Sequence, residues 1–390
     1  MRVRVRAGVG AERPRWRTGR WRNLALAALS LVASYALVEL LGTSLSAVGV
    51  LPRWQDASSF WIYERSDRTV HFDPILGYRL TPIPSRIARI TRGEVEYLGV
   101  KRGNAQGFPD PNDFAPRRPP GTARRLAVFG DSFTAAQYIE RSWPDAVEER
   151  LTGRRVELLN LAIGGGGLAN WWSILTRFLG PQRYELDGVV FAVYPGDLRR
   201  GFSVSEHRGY ARHMFGRVPS WDPATWPRTL AEARPYLEGK EDSYILSSEL
   251  FERARLGEWR PPEPGVQPFV ATGARRWLAE ARASLRRRRM SEDPARLRLR
   301  EECADFLARR GLPALVVHVP SREGLLAGAP LPDETAAFAR ALGATLVDGS
   351  EAFRGLSGDE IRAAWLPYDG HWAQAGSDRF AEFMVEIVAG

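Results

Sequence analysis

Val128-Phe129-Gly130-Asp131-Ser132-Phe133-Thr134 is the stretch on which the fold turns. It closes a short apolar run, Leu126 to Phe129, and opens a helix-like segment. A serine at that junction sits where a strand ends and a turn begins. In an open parallel sheet, ligands bind outside the carboxyl ends of the strands. Serine and aspartate are also common helix N-caps, so taken alone Gly-Asp-Ser reads more readily as a cap than as a nucleophile. The surrounding chain has to decide.

Outward from this stretch the pattern alternates. Apolar runs at Arg125–Phe129, Val156–Leu161, Gly188–Tyr194, Ala314–Val319 and Thr345–Val347 read as strands. They are rich in Val, Leu and Ala, as strands buried on both faces are. Helix-like segments lie between them near Asp145–Leu151, Leu168–Leu179, Glu292–Arg310 and Glu334–Leu342, and a last one runs near Ala373–Val388. Strand then helix, repeated, predicts an α/β domain at 121–390 with a doubly wound, parallel, five-stranded sheet. One connection is far longer than the rest. Between the third and fourth strands lies an insertion of about 198–312, with Trp221, Trp226, Trp259 and the run Arg286-Arg287-Arg288-Arg289. It leaves from the ligand-binding end of a strand, so a lid over the site is expected of it. The arginine run reads as a solvated helix face.

The chain is basic, with a pI near 10.0, but the charge is uneven. Residues 1–22 hold eight arginines against the single acid Glu12, which accounts for seven of the nine net positive charges. The basicity therefore belongs to a tail, and no nucleic-acid partner is expected. The tail precedes Leu24 to Gly42, LALAALSLVASYALVELLG. As a helix this run is ~28 Å long, close to the hydrocarbon thickness of a bilayer. Arginines before it place the N-terminus inside and everything after Gly42 outside. An uncleaved anchor at 23–42 is expected rather than a signal peptide, because the run exceeds a signal core and Ser44-Leu45-Ser46 is a poor cleavage site. Glu39 interrupts the run near its outer end, where it can reach the interface. Residues 43–120 read as a juxtamembrane connector with short strands, closed by a Pro/Arg linker at Pro116–Gly121. The single cysteine, Cys303, excludes an internal disulfide and a thiolate zinc site, and reads as a small buried apolar residue.

Nucleophilic catalysis by serine needs an exposed hydroxyl, a base, a group to orient the base, and an oxyanion hole. Ser132 supplies the hydroxyl, and its own backbone N–H points into the same turn. Of the histidines at 71, 207, 213, 318 and 371, one follows the fifth strand in a loop that can reach the same sheet edge. That is His371, in Tyr368-Asp369-Gly370-His371-Trp372, with Asp369 close enough in sequence to orient it. After the second strand comes Asn160-Leu161-Ala162-Ile163-Gly164-Gly165-Gly166-Gly167, whose glycines let backbone amides approach a ligand. Tyr194-Pro195-Gly196-Asp197 ends the third strand. No Walker A, HExxH or GxSxG motif is present, and no metal or cofactor is expected.

These segments together resemble the SGNH (GDSL-like) hydrolases over roughly 121–390, without the insertion. Gly130-Asp131-Ser132 matches the first block of that family, so the resemblance implies Ser132 as nucleophile. Asn160 to Gly165 resembles the second block, with Gly165 as the oxyanion glycine. Tyr194 to Leu198 lies where the third block places Gly-Asn-Asp-Leu. Asp369-Gly370-His371 resembles the fifth, with His371 as base and Asp369 as its orienter. Asp73-Pro74-Ile75-Leu76-Gly77-Tyr78 and Gly107-Phe108 resemble the leader of membrane-anchored members. The family implies a flavodoxin-like sheet and hydrolysis or transfer of O-acyl groups. Two departures stand out. Gly196 occupies the place of the third-block asparagine, which removes a side-chain oxyanion donor worth ~3 kcal/mol in the transition state. Asp369 precedes His371 by two residues, where three is more usual.

The resulting expectation is a membrane-anchored serine O-acyl esterase acting on acylated cell-surface glycans or similar esters. It would sit at the inner membrane with its catalytic domain on the periplasmic or extracellular side. Ser132, His371 and Asp369 would be catalytic, with Ser132, Gly165 and Gly196 around the oxyanion. Asp131, Asn170 and Trp372 are candidates for substrate contact, and Asn170 is also a candidate for the missing asparagine's role. Trp143, Trp171, Trp172 and Trp372 are expected near the site, where rings can stack on sugars. Two alternatives stay open: an O-acyltransferase to polysaccharide through the same acyl-serine, and a non-catalytic polysaccharide-binding or assembly module.

Overall fold

The structure, a computed structural model, describes residues 16–47, 59–65, 69–208, 212–239, 244–260 and 293–389, together with 269–270, 272–275, 277–278 and 281. The first part of the basic tail and the run Arg286–Arg289 lie outside the described residues. In chain order the strands are β1 Ser59–Tyr63, β2 Val70–Asp73, β3 Gly77–Leu80, β4 Ser85–Thr91, β5 Glu94–Lys101, β6 Arg124–Phe129, β7 Val156–Asn160 and β8 Gly188–Val193. They continue as β9 Ser203–Arg208, β10 Arg212–Arg217, β11 Glu238–Gly239, β12 Tyr244–Leu246, β13 Ala314–His318 and β14 Thr345–Asp348.

β6, β7, β8, β13 and β14 form the expected parallel sheet, each within one residue of the bounds read from sequence. Their order is β14-β13-β8-β6-β7. Counted by entry this is 2-1-3-4-5, the flavodoxin-like order, whose switch point lies between β6 and β8. The Gly130-Asp131-Ser132 and Gly196-Asp197 turns leave from those two strands and flank that crevice. Alternation along the strands splits their side chains between two cores, since successive residues face opposite sides of a sheet. Ala127, Phe129, Val189, Phe191 and Val193 enter one core, closed by Trp171, Leu299, Cys303 and Phe338 from helices Leu168–Ser173, Pro294–Arg310 and Asp333–Leu342. Leu126, Val128, Val190, Ala192 and Val317 enter the other, closed by Trp143 and Val147 of helix Trp143–Arg150 and by Phe380 and Met384 of helix Gln374–Ala389. Cys303 is the buried apolar thiol expected, and burial pushes its ionisation up. The helix expected over Leu168–Leu179 changes character midway, from α-helix at Leu168–Ser173 to a wide π turn at Ile174–Leu179.

The segment before the α/β domain is more than a string of short strands. β1, β4 and β5 build an antiparallel sheet, and β12 of the insertion joins its edge in parallel to β1, giving the order β12-β1-β4-β5. The insertion contributes a second sheet, β11-β10-β9, and helix Ser248–Arg255, whose Phe251 packs with Ile62, Ala88 and Ile90 of β1 and β4.

Residues 1–56 and 263–283 make a separate compact unit. Its main element is the helix Trp16–Ala47. The stretch Trp21–Leu45 is long and apolar enough to cross a membrane, with a mean hydropathy of 2.1, and nearly all of its residues are exposed. Glu39, the acid within it, has partners: its carboxylate accepts the Val270 amide at 3.1 Å and the Thr43 hydroxyl at 3.3 Å.

Candidate active site

Ser132 opens the short helix Ser132–Ala135 at the carboxyl end of β6. Asp131 caps that helix, its Oδ1 accepting the Phe133 amide at 2.9 Å. As the first helical residue, Ser132 carries a backbone N–H with no intrahelical acceptor. Its Oγ lies 2.6 Å from His371 Nε2. His371 Nδ1 is in turn hydrogen-bonded to Asp369 Oδ1. An Nδ1 that faces a carboxylate takes the ring proton, which leaves Nε2 as the acceptor for the serine. The imidazole sits between the rings of Phe133 and Tyr138, at centroid distances of 5.0 and 4.6 Å. Its loop is closed by the Leu366 amide donating to the His371 carbonyl at 2.8 Å and the Ala373 amide donating to the Ala364 carbonyl at 2.9 Å.

Burial pushes His371 down to about 4; Asp131 and Glu96 oppose this, while Arg89 and Arg200 reinforce it. The imidazole is therefore neutral at pH 7 and open to a proton, as a general base must be.

Gly165 lies in the turn after β7, next to Gly164, where an added Cβ would stand 4.0 Å from Ser132 Cβ. Its φ of +71° is the left-handed conformation that favours glycine. The loop's carbonyls are tied back: Gly164 accepts the Tyr78 hydroxyl at 3.1 Å, Gly165 the Ser203 hydroxyl at 2.7 Å, and Gly166 the Arg200 guanidinium at 3.1 Å. Fixing the carbonyls fixes the peptide planes and so the direction of the amides. Neither the Ser132 nor the Gly165 amide is donated to another group among the described residues. Phe215 of β10 covers this loop so closely that a Cβ on Gly165 would stand 2.7 Å from its ring. The insertion thus does reach over the glycine loop.

Beneath the serine lies an ionic cluster. Arg200 Nη1 is 2.8 Å from Asp131 Oδ2 and 2.6 Å from Asp197 Oδ1. Burial and the nearby Asp131 carboxylate push Asp197 well above the usual range, with Arg200 opposing. Gly196, just before it, has a φ of +95° and open space around its Cα.

Three residues expected to contact substrate are engaged within the fold. Asn170 is fully buried, donates to the carbonyls of Leu76 and Ser203 at 2.8 and 3.1 Å, and accepts the Ser203 amide at 3.0 Å. Both its N–H groups are used, so it clamps the Leu76 and Ser203 strand ends and has no donor left for an oxyanion. Asp131 is buried in its cap and its pair with Arg200. Trp372 has no exposed surface and packs against Phe133, Phe353 and Phe380. The other tryptophans are core as well: Trp143 and Trp171 have no exposed surface, and Trp172 donates to Glu302 at 2.7 Å. None of them can stack on a sugar.

Several groups at the site carried no sequence signal. Tyr138, Arg200, Arg89 and Glu96 belong to no motif. Tyr78 lies in the Asp73–Tyr78 stretch, but nothing there announced that its hydroxyl would hold Gly164.

The chain is similar over much of its length to solved acylhydrolases and esterases. A lipase/acylhydrolase from Enterococcus faecalis shares 12% identity, covers 68% of this chain and 95% of its own, and gives a TM-score of 0.34. For a GDSL-like lipase from Bacteroides thetaiotaomicron the values are 10%, 70%, 90% and 0.31. For AlinE4, an SGNH-hydrolase family esterase, they are 14%, 69%, 96% and 0.26. No protein-family model and no curated protein matches the chain.

Proposed function

We propose that this chain is a serine O-acyl esterase of the SGNH type, with Ser132 as nucleophile, His371 as base and Asp369 as its orienter. The observation that carries the reading is the unbroken hydrogen-bonded line from Ser132 Oγ through His371 to Asp369, set at the switch point of the sheet. In the first half-reaction His371 Nε2 takes the Ser132 proton as Oγ bonds to the acyl carbon. The carbonyl oxygen gains charge, and the amides of Ser132 and Gly165 donate to it. The tetrahedral species collapses as His371 gives its proton to the leaving alkoxide. Water then repeats the sequence on the acyl-serine and releases the acid. The apolar helix behind an arginine-rich tail supports a membrane anchor with the α/β domain outside the cytoplasm. That placement favours acylated cell-surface glycans as substrates.

The test uses the full chain in detergent micelles with p-nitrophenyl acetate. Ser132→Ala and His371→Ala, at equal folded content, are expected to lose activity by at least ~10³-fold. Turnover that survives Ser132→Ala would overturn the reading. Ser132-dependent turnover would exclude the non-catalytic module.

Transfer is the second reading, favoured by the closeness of Phe215 to the oxyanion glycine. A covered acyl-serine meets less water, which favours a sugar hydroxyl as acceptor. A product that forms only when an oligosaccharide acceptor is added would select it.

A further inference from the structure

Asp369 turns one carboxylate oxygen to His371, and its other oxygen is held by the Arg89 guanidinium. Arg89 belongs to β4, in the sheet that precedes the α/β domain. The β4–β5 pairing is irregular at Arg89/Ile90. Such bulges re-aim a side chain, and they recur beside active sites. Arg89 is fixed from two further sides. Its Nε lies 3.2 Å from Glu96 Oε2, and its guanidinium stands 4.6 Å over the Trp61 ring of β1.

Glu96, whose side chain has no exposed surface, grips the same loop by its backbone. Its Oε1 accepts the amides of Tyr368 and Asp369 at 2.7 and 2.6 Å, and its Oε2 accepts the Thr91 hydroxyl at 2.7 Å. Arg92 adds a contact 4.9 Å over the Tyr368 ring. The loop gripped in this way is an Asp-Gly turn two residues before His371, a segment with little stiffness of its own.

We propose that Arg89 and Glu96 are positioning residues of the active site, fixing Asp369 and through it the His371 imidazole. The N-terminal sheet is then part of the catalytic apparatus and not a connector to the membrane. This inference rests on the esterase reading for its rate effects, but its geometry can be tested without turnover. The charged and titratable groups facing His371 are Asp369, Asp131, Glu96, Arg89, Arg200 and the Tyr138 phenol. Arg89 opposes the imidazolium and Glu96 favours it, so their removal moves the histidine in opposite directions.

The experiment uses the full chain in micelles as wild type, Arg89→Met, Arg89→Lys and Glu96→Gln, with folding checked by circular dichroism. Two quantities are read against pH: kcat and KM for p-nitrophenyl acetate, and the His371 imidazole ¹⁵N shifts. In the wild type the acid limb of kcat/KM is expected near pH 4, below that of an ordinary histidine. Arg89→Met is expected to lower kcat by roughly 30- to 100-fold with KM within about twofold, as a misplaced catalytic group does. It also moves the His371 titration to higher pH, while Glu96→Gln moves it lower. Arg89→Lys restores the titration and part of kcat. A folded Arg89→Met protein with wild-type kcat and titration overturns the proposal. So does a loss of activity in both variants with the titration unmoved, since a staple that only holds the fold would do that. If the wild type shows no turnover, the esterase reading fails, and the opposed titration shifts still decide the positioning role.

Discussion

Ser132, His371 and Asp369, which the structure brings into one hydrogen-bonded line, could be singled out in the sequence because each lies in a turn on the carboxyl side of a strand. Gly196 was singled out too, as the place where the resemblance puts an asparagine. The structure bears on what that difference would cost. Asn170 cannot replace the lost donor because its amide is committed to Leu76 and Ser203. The space beside Gly196 is open, so a Cβ meets no neighbour there. Its φ of +95° strains any side chain, and Gly196→Asn should lose ~1 kcal/mol of stability for that reason. If the missing amide limits the reaction, the same variant gains ~10- to 100-fold in kcat on p-nitrophenyl acetate, as a restored oxyanion donor should give. Gly196→Ala is the control, with the strain and no donor. A kcat for Gly196→Asn no higher than for Gly196→Ala would show that the oxyanion is already fully served. Arg89 and Glu96 were out of reach of such reasoning. Glu96 meets its partners Tyr368 and Asp369 across separations of 272 and 273 residues. Nothing local to an acid on a short strand records which distant loop it will hold.

At the scale of elements, β6, β7, β8 and β13 were legible because both of their faces are largely buried, while the edge strand β14, exposed at Thr345 and Leu346, was legible only as a short apolar run. A strand such as β8, Gly-Val-Val-Phe-Ala-Val, has no polar position to blur its period, and every residue in it is buried. The insertion was legible only as a length. Its strands are short, and β12 pairs with β1, which lies far back in the chain, so no hairpin signal announces it. Phe215 is the residue through which the proposed lid would act, since its ring closes on Gly165. A wall at the glycine proposed for the oxyanion should limit the bulk of the acyl group. Phe215→Ala is therefore expected to raise the ratio of kcat/KM for p-nitrophenyl butyrate over acetate by ~10-fold, the scale of one or two methylenes admitted to a pocket. A ratio unchanged by the substitution would place the acyl chain elsewhere, and Phe215 would be left with packing alone.

For the whole molecule, the distribution of buried acids sets an unusual response to pH. Helix Trp143–Arg150 carries Asp145 and Glu148 on the side of the buried Asp110. Burial pushes Asp145 up to about 6 and Glu148 up to about 7, and each adds charge that raises Asp110 further. A carboxyl whose folded pKa lies above its unfolded value binds its proton more tightly in the native state. Its contribution to stability is complete below the unfolded pKa and is lost as pH rises through the folded one. For Asp145 and Glu148 that window runs from about 4 to about 7. These two acids should therefore pull the melting temperature down as pH rises through that window, against the habit of proteins whose carboxylates are paired. His371 acts at the other end. Its contribution is complete above the unfolded value of 6.5 and is lost as pH falls from there through about 4, so it opposes the two acids below 6.5 and adds no slope above it. Glu148→Gln keeps an acceptor for the Leu158 amide, now 3.1 Å from the Glu148 carboxylate, and removes the titration. It should raise the melting temperature at pH 8, leave it nearly unchanged at pH 5, and so flatten the slope. A variant whose melting temperature falls as steeply as the wild type's would move the cause away from this helix. The His371 imidazole stays neutral well below the pH at which these acids ionise in the folded chain, so the Glu148→Gln comparison at pH 5 and pH 8 is read with that histidine in one protonation state.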